Sequence, residues 1–303
     1  MNFKTQAEHF MYEIANRKSA PAKSNTLSVY RSLLNFRIFP ILGQTEMVDV
    51  NNKVVKILVA SLVGEELSPA TINLAISLIK QVVKSSTDEE GNQLYPRIWN
   101  NRFIDAPKVD PTTQKAPIAP RGAIQEAVAR FNGELGGLIA LISGTGVRVG
   151  EALSLMVGED DQVNSFWNPE AKTLTIRTTM VRGGVQNSTK TKAGTRVVDL
   201  DASLNDFLRL QFANHEGRIF SSSERTLRRR IEELGIHGFH SMRRFRITHL
   251  QGENVPPMLT KFWAGHAASD QTEKYTKMGA QISERKTWAG KAGLGFTLGG
   301  IND

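Results

Sequence analysis

The sequence contains no cysteine among its 303 residues. This absence excludes disulfide bonds, thiolate nucleophiles and every zinc site that uses cysteine ligands. A metal would have to bind through histidine and carboxylate side chains alone, and the six histidines include no close pair with metal-binding spacing on an acidic background. His237 and His240 lie beside Arg243, Arg244 and Arg246, which repel a cation. We therefore expect a site without a metal.

The sequence also lacks a long apolar run. Lys56 interrupts the apolar stretch 54–63, and Ser143 ends the stretch 138–142. Neither approaches the roughly 20 residues needed to cross a bilayer, and the N-terminal end carries no signal-peptide core. We expect no membrane association and a cytoplasmic location.

Acidic residues are fewer than basic ones, with 30 Asp and Glu against 38 Lys and Arg, which gives a formal net charge of +8. The excess is uneven: residues 1–105 carry 12 basic and 10 acidic side chains, whereas residues 177–246 carry 14 and 7. Concentrated positive charge favours a polyanionic partner such as nucleic acid, and a solubilising surface is the alternative.

Length favours two domains, and the first hundred residues have the spacing of helices. Ser68 and Pro69 supply an N-cap and a proline at the first helical position, after which Ile72, Ile76 and Ile79 recur at helical spacing. We expect a small helical bundle over residues 1–105. Its predicted helices span about 25–36, 52–63 and 68–84.

Prolines at 107, 111, 117 and 120 predict a stiff linker over 106–121. The second predicted domain, 122–303, mixes helices with a small sheet. The β-branched run 172–180 predicts a strand, Gly183 and Gly184 a turn, and 195–200 a second strand. Helices are expected around 124–131, 138–143, 203–212, 224–234, 242–250 and 270–278.

Residues 145–151, Thr-Gly-Val-Arg-Val-Gly-Glu, place Arg148 at the start of an apolar helix with Glu151 three residues later on the same face. A surface salt bridge is one interpretation of this pair. The functional interpretation is an arginine aimed at a phosphate, with the carboxylate holding its guanidinium in place.

Residues 189–196, Thr-Lys-Thr-Lys-Ala-Gly-Thr-Arg, form a basic, turn-like segment between two strand signals. Such hairpins are usually only solvated, although a lysine on a flexible hairpin can enter a DNA groove and deliver a proton. Lys190 and Lys192 are two residues apart and share a face of a strand, so both are candidates. The Lys-Thr context favours Lys190.

His240 and Arg243 lie one helical turn apart and can point at one ligand, although a chance His-x-x-Arg is common. The neighbouring Arg244 and Arg246 add to the positive field.

His266 and Tyr275 are nine residues apart, which would put them on opposite sides of one continuous helix. We therefore expect a break between them. Asp270 and Glu273 form a possible capping box that starts a new helix and lets Tyr275 fold back toward His266. The alternative is a tyrosine that packs its ring into the core.

Taken together, these motifs resemble the catalytic domain of the tyrosine recombinase (phage integrase) family over residues 120–280. The resemblance rests, in chain order, on Arg148 with Glu151, Lys190, His240 with Arg243, Gly265 with His266, and Tyr275. The helical half, especially Ala70-Thr-Ile-Asn73, is similar to the family's core-binding domain. Two positions depart from the family pattern: Arg244 replaces a typical histidine and Asp199 a proline that often closes the lysine hairpin.

The resemblance implies a mainly α fold with a small β-sheet, in which a helical, SAM-like core-binding domain precedes an α+β catalytic domain. The sequence starts directly with the core-binding helices, so we expect no N-terminal arm-site domain. The implied activity is site-specific DNA cleavage and rejoining through Tyr275, with a covalent 3′-phosphotyrosine and no cofactor or metal.

The resemblance also implies a role for each residue of the site. Arg148, Arg243 and His266 would stabilise the non-bridging oxygens, His240 would assist proton transfer, and Lys190 would protonate the leaving 5′ oxygen. Expected DNA contacts are Lys192, Arg196, Arg244 and Arg246.

The implied partners are double-stranded DNA at specific sites, three further copies of the chain in a homotetramer on two synapsed sites, and accessory DNA-bending proteins. The segment Ile282–Asp303, with Trp288 and Phe296, is a candidate for docking onto a neighbouring protomer. The outcome could be integration, excision or resolution. Two alternatives remain: a type IB topoisomerase that relaxes DNA as a monomer, and a DNA-binding regulator without catalysis. The presence of every reactive residue type argues against the regulator.

Overall fold

The computed structural model describes residues 1–110, 117–157, 162–181, 184–187, 195–212, 215–266 and 278–299. The chain divides into two compact units, Met1–Gln114 and Lys115–Asp303. The division lies inside the range 106–121 that the prolines predict as a linker. Within the described ranges, no helix is both long enough and apolar enough to span a membrane.

The first unit is built of helices. They are α1 (Phe3–Asn16), α2 (Ser24–Leu33), α3 (Phe39–Leu42), α4 (Asn52–Gly64), α5 (Pro69–Lys84) and α6 (Asn101–Ile104). A π-helical turn, Leu34–Ile38, continues α2 into α3, and a 3-10 turn, Met47–Asp49, precedes α4. The predicted helices at 52–63 and 68–84 are confirmed, and the one at 25–36 continues past α2 as the π-helical turn.

Capping side chains explain where these helices begin. Asn2, Asn51, Ser68 and Asn100 accept backbone N–H groups at the starts of α1, α4, α5 and α6. The apolar faces of the helices then meet in one core within this unit, which includes Phe3, Phe10, Leu42, Leu58, Leu62, Leu78 and Ile79.

The second unit combines helices with two small sheets. Its helices are α7 (Arg121–Arg130), α8 (Gly133–Thr145), α9 (Val149–Ala152), α10 (Ala202–Phe212), α11 (Glu224–Glu232), α12 (Phe239–Gly252), α13 (Pro257–Ala264) and α14 (Ile282–Ala292), with a 3-10 turn at Met278–Ala280. Its strands are β1 (Leu155–Val157), β2 (Ser165–Asn168), β3 (Thr173–Ile176), β4 (Thr178–Val181), β5 (Gly184–Asn187), β6 (Arg196–Asp199) and β7 (Gly217–Arg218).

The larger sheet has the order β6-β3-β2-β1-β7, in which only the β1–β2 pair is parallel. Strands β4 and β5 form a separate antiparallel ribbon. These elements confirm the predicted fold class, a mainly helical chain with a small sheet. The helix predicted over 270–278 lies mostly outside the described residues.

The prediction of a single strand over 172–180 is wrong in one respect, because this segment forms two strands, β3 and β4, that belong to different sheets. The hydroxyl of buried Ser165 accepts the backbone N–H groups of Arg177 and Thr178, each at 2.8 Å. These bonds replace ladder bonds at the junction, so β3 ends before Arg177 and β4 pairs with β5 instead. β-Branched composition alone carries no sign of this interruption.

Helix α8 lies at the centre of the second core, and each of its residues from Leu135 to Thr145 is buried. Glycines allow its neighbours to approach closely. A Cβ on Gly137 would lie 2.6 Å from the ring of Phe212, and one on Gly144 would lie 2.8 Å from Leu204. Because α8 ends beside the predicted site, this packing fixes the turn that follows it.

The chain after α14 packs on its own unit. Leu294 and Phe296 are buried in the same core as α8, and the Phe296 ring lies 6.1 Å from that of Phe245. His249 and Arg246 bond to the carbonyls of residues 292 and 293. The docking of Ile282–Asp303 onto a neighbouring protomer stays a prediction, and it would require Leu294 and Phe296 to leave this core if they took part in it.

Candidate active site

The turn between α8 and α9 presents Arg148 and Glu151. Helix α8 ends at Gly146, whose positive φ of 75° suits a glycine at a helix C-cap. Arg148 is then the N-cap residue of α9, and Glu151 accepts from it twice: the Arg148 backbone N–H donates to Oε2 at 2.8 Å, and the guanidinium donates to Oε1 at 2.9 Å. The predicted i, i+3 pair is thus formed by both the backbone and the side chain of the arginine.

Glu151 also binds a second arginine. Arg196, at the start of β6, donates to both carboxylate oxygens at 3.1 and 2.8 Å, and both side chains are almost fully buried. Burial alone would raise the pKa of Glu151, but the hydrogen bond and charge of Arg196 and the contacts of Arg148 outweigh it and hold that pKa below its ordinary value. Glu151 is therefore ionised at neutral pH.

Arg243 lies on α12 and is 2% exposed. Its guanidinium donates to the carbonyls of Gly146 and Ala264 at 2.5 and 2.7 Å and to His266 Nε2 at 3.0 Å. Burial, and then the charge of Arg148, lower its pKa to about 10. The group remains cationic at neutral pH and is held rigidly by the ends of α8 and α13.

His240 and His266 are exposed beside these arginines. Burial lowers the pKa of His240, and the charges of Arg244, Arg243 and Arg148 lower it further. Burial followed by the nearby arginines likewise lowers the pKa of His266. Both imidazoles are therefore neutral at neutral pH, and His266 Nε2 accepts from Arg243.

The exposed face of the cluster is cationic. The Arg148 side chain is 46% exposed, and its guanidinium also donates to the Gly265 carbonyl at 3.2 Å, next to His266. The carboxylate of Glu151 accepts from the guanidinium groups of Arg148 and Arg196, and its charge also acts on that of Arg243. The excess positive charge and the preorganised N–H donors suit an anion such as a phosphate.

Two glycines allow the elements of the site to approach. A Cβ on Gly150, in α9, would lie 2.7 Å from the Met180 carbonyl oxygen and 2.5 Å from Thr179 Oγ1, both in β4. A Cβ on Gly265 would lie 2.7 Å from the guanidinium of Arg196, and its φ of 65° is itself unfavourable for other residues.

No family model and no curated protein matches the sequence. Among solved structures, a Tn1549 transposon integrase in complex with transposon right-end DNA matches with a TM-score of 0.66 and 15% identity, covering 95% of this chain and 94% of that chain. A lambda integrase dimer bound to a COC′ core site matches with a TM-score of 0.61 and 14% identity, covering 94% and 77%. A lambda integrase tetramer bound to a Holliday junction gives 0.63 and 15%, covering 92% and 80%.

The chain has the tyrosine recombinase fold. Within this fold, Arg148, Glu151, His240, Arg243 and His266 come together from segments up to 118 residues apart. Three further residues with predicted roles, Lys190, Lys192 and Tyr275, lie outside the described residues, as does the predicted capping box at 270–273.

Two of the predicted DNA contacts require correction. Arg196 is buried in its ion pair with Glu151, and its Nε donates to the Trp263 carbonyl at 2.8 Å. Arg246 is 4% exposed, donates to the Gly293 carbonyl and packs its stem against Gly146. Neither guanidinium is accessible to DNA, so we assign both a structural role. Arg244, in contrast, is only partly buried.

A buried group of hydrogen bonds centred on Asp199 was not predicted from the sequence. Asp199 accepts from Arg285 Nε at 2.8 Å and from Trp263 Nε1 at 2.9 Å, which ties β6, α13 and α14 together. The sequence does carry a signal that Arg196 is buried, because side chains alternate along a strand and Arg196 shares one face of β6 with the apolar residues Val198 and Leu200. No comparable signal identifies Arg285 as the partner of Asp199.

The described residues include no group of three His, Asp or Glu side chains that could hold a metal ion. The charged groups of the cluster are mainly guanidinium donors, which suit anions and not cations.

Proposed function

We propose that this chain is a site-specific DNA recombinase of the tyrosine recombinase family, which cleaves and rejoins DNA through a 3′-phosphotyrosine on Tyr275. The observation that carries the proposal is the assembly of Arg148, Arg243, His240 and His266 around one cationic surface. The shared fold with integrases bound to DNA supports the same assignment.

The arrangement fits the demands of phosphodiester cleavage. As phosphorus becomes five-coordinate, charge builds on its non-bridging oxygens, and exposed Arg148 and His266 supply positive charge and N–H donors for them. Arg243 is buried and donates to His266 Nε2, so it acts on the phosphate through its charge and through the orientation of His266. Each preorganised donor is typically worth about 100- to 1,000-fold in rate. The Tyr275 oxygen forms the new bond to phosphorus while the bond to the 5′ oxygen breaks. Lys190 gives that oxygen a proton, and neutral His240 assists the other proton transfer by accepting the proton that the Tyr275 hydroxyl loses.

The proposed partner is double-stranded DNA at a specific site. Two matched lambda integrase structures are a dimer on a core site and a tetramer on a Holliday junction. By analogy we propose a homotetramer on two synapsed sites, because recombination requires four strand cleavages. We also propose that accessory DNA-bending proteins are partners and that the protein is cytoplasmic.

Tyr275→Phe tests the nucleophile. The variant should lose covalent attachment to DNA while it retains folding and DNA binding, because one hydroxyl is removed and the ring remains. The substrate is DNA that flanks the gene, nicked near the cleavage position so that the released fragment cannot be rejoined. Peptide mapping should find the 3′ phosphate on Tyr275 of the wild-type protein.

Matched controls are Tyr12→Phe, Tyr30→Phe and Tyr95→Phe in the first unit, each of which should still cleave. Attachment at another residue, a 5′ linkage, or undiminished cleavage by Tyr275→Phe would refute the assignment. Relaxation of a plasmid that lacks any specific site would favour the topoisomerase alternative. DNA binding by the wild-type protein without covalent attachment would favour the non-catalytic regulator.

A further inference from the structure

A surface cavity of about 820 Å³ opens beside His240. It lies between the chain that enters the second unit, the middle of α11 and the start of α12. The described residues that line it are Pro117, Arg228, His237, Gly238, Phe239, His240 and Arg244. Four of these seven residues are basic or can become so, and none is acidic.

Arg244 is positioned toward this cavity by the chain that precedes α7. One of its terminal nitrogens donates to the Pro117 carbonyl at 3.1 Å. That stretch of chain is itself tied to α12, because the Ala119 N–H donates to the Ser241 carbonyl at 3.1 Å. The guanidinium is thus oriented through one nitrogen, while the group keeps further N–H donors for a ligand.

Arg228 reaches the same cavity from α11. It pairs with Glu224 one turn earlier at 2.5 Å, and both side chains are about half exposed. An exposed pair of this kind contributes little stability, so Arg228 can exchange its carboxylate for another anion at small cost. The pair therefore holds the arginine near the cavity without neutralising it permanently.

The cavity adjoins the candidate active site along α12. His240 and Arg244 are four residues apart, so they share one face of the helix and are separated by about 6 Å along its axis. The cationic surface that carries Arg148 and His240 thus continues into the cavity. An extended polyanion that brings one charge to His240 can bring the next to Arg244.

We propose that this cavity is a second phosphate subsite, which binds a backbone phosphate flanking the phosphate that is cut. The inference rests on the proposed function, and it assigns Arg244 and Arg228 as the residues that fix the register of the strand. The ligand is a phosphodiester of the DNA substrate. Contacts of this type position a duplex without reading its sequence.

The salt dependence of binding to a random-sequence duplex of about 30 base pairs tests the phosphate contact. Arg244→Met and Arg228→Met should each reduce the slope of log affinity against log salt by about 1 and weaken binding about tenfold. Arg209→Met is the matched control, because Arg209 also pairs with a glutamate at the surface and the charge change is the same. This control should leave the slope unchanged. Arg244→Lys should keep most of it.

Single methylphosphonates test the position of the contact. After the covalent complex has identified the cut phosphate, each neighbouring phosphate is neutralised in turn. One flanking position should weaken wild-type binding about tenfold and have little further effect on Arg244→Met, because the variant has already lost that contact. Thermal melting checks that each variant is folded, and the exposed Arg228 provides a second variant if Arg244→Met is not.

Three outcomes separate this inference from the proposed function. If the wild-type protein attaches to DNA but both arginine variants keep the wild-type slope, the subsite is wrong and the recombinase assignment stands. If the variants lose slope but no flanking position distinguishes them from the wild type, the position assigned to the subsite is wrong. If no covalent complex forms with any substrate, the proposed function fails, and the slopes still decide whether these arginines contact phosphate.

Discussion

Glu151 is the one carboxylate around which the arginines of the candidate site are arranged. It accepts two bonds from buried Arg196 and two from Arg148. A buried ion pair is costly to break from one side, because the remaining charge stays without compensation. The stability of this part of the fold therefore depends on a residue that would not itself contact substrate.

Glu151→Gln should lower the free energy of unfolding by about 3 kcal/mol, because the amide leaves the Arg196 charge buried and uncompensated. Urea denaturation at neutral pH measures the change. Glu170→Gln is the matched control: it removes an ion pair with Arg209 at the surface and should cost under about 1 kcal/mol. Equal costs for the two substitutions would mean that the buried network contributes no more than a surface pair.

The pKa of His240 is lowered by more than one cause, and a substitution can separate them. Burial is its largest contribution, and the nearby charge of Arg244 is the next. Arg244→Met should therefore raise the pKa of His240 toward its ordinary value, as measured by following the imidazole proton by NMR during a pH titration. Arg209→Met should leave the titration unchanged, and an unshifted His240 in Arg244→Met would show that the arginine does not act on it.

Because the pKa of His240 is lowered, the direction in which its contribution to stability changes with pH follows. The folded state disfavours protonated His240, so the unfolded state binds a proton first as the pH falls. The contribution of His240 to stability is full above the ordinary histidine pKa and declines as the pH drops through the lowered value. The same direction holds for His266.

Local pairs in the site were predictable from the sequence, and pairs between distant segments were not. Arg148 and Glu151 are one turn apart, so helical spacing alone brought them together. Arg196 lies 45 residues from Glu151, and its sequence context reads equally well as a solvated hairpin. Arg246 falls on the apolar stripe of α12 with Met242 and Leu250, a pattern that indicates burial but names no partner.

At the scale of elements, several helices were predicted from signals that they carry themselves, whereas α1, α13 and α14 were not predicted. Ser68 and Pro69 start α5 where capping rules place its beginning. Strands depend instead on partners. The division between β3 and β4 is made by Ser165, which lies in a different strand and bonds to the junction from the side. Short strands such as β1 and β7 lack the length that makes alternation visible.

The docking of residues 293–299 depends on Gly295. Its φ is 81°, and a Cβ there would lie 2.8 Å from the ring of His249. Gly295→Ala should therefore release this segment, which hydrogen exchange would detect as faster exchange of residues 293–299. Gly290→Ala is the matched control, because a Cβ at this helical position meets nothing within 4 Å. The control should be neutral or stabilise by about 0.5 kcal/mol.

Unchanged exchange in Gly295→Ala would mean that the segment tolerates the side chain and that its docking does not depend on this glycine. Faster exchange in Gly290→Ala as well would indicate a general effect of substitution near α14.

At the scale of the molecule, each unit contains its own apolar core. One core comprises residues between Phe3 and Ile104, and the other comprises residues between Ala119 and Phe296. Buried apolar surface is the main source of stability, so each unit has the means to fold without the other.

Severing the chain between Asp110 and Arg121 should therefore yield two soluble fragments, each of which unfolds cooperatively. Under the proposed function, each fragment should also bind DNA far more weakly than the intact chain, because the linked units bind as a pair. Circular dichroism and a DNA-binding titration measure the two effects. An insoluble fragment would contradict independent folding, and a fragment that binds as tightly as the intact chain would contradict joint binding.

Gly150 shows how the packing of this molecule limits the amino-acid changes that its evolution can accept. Its Cα faces the Met180 carbonyl, which is backbone, so no replacement of a neighbouring side chain can make room for a Cβ. Under the proposed function, a change at Gly150 would be eliminated by selection as readily as a change at Arg148, although the glycine performs no chemistry. A genetic screen would therefore group the two residues together. Second-site suppressors at Thr179 could relieve only one of the two clashes, so a lineage that lost this glycine would have little prospect of recovery.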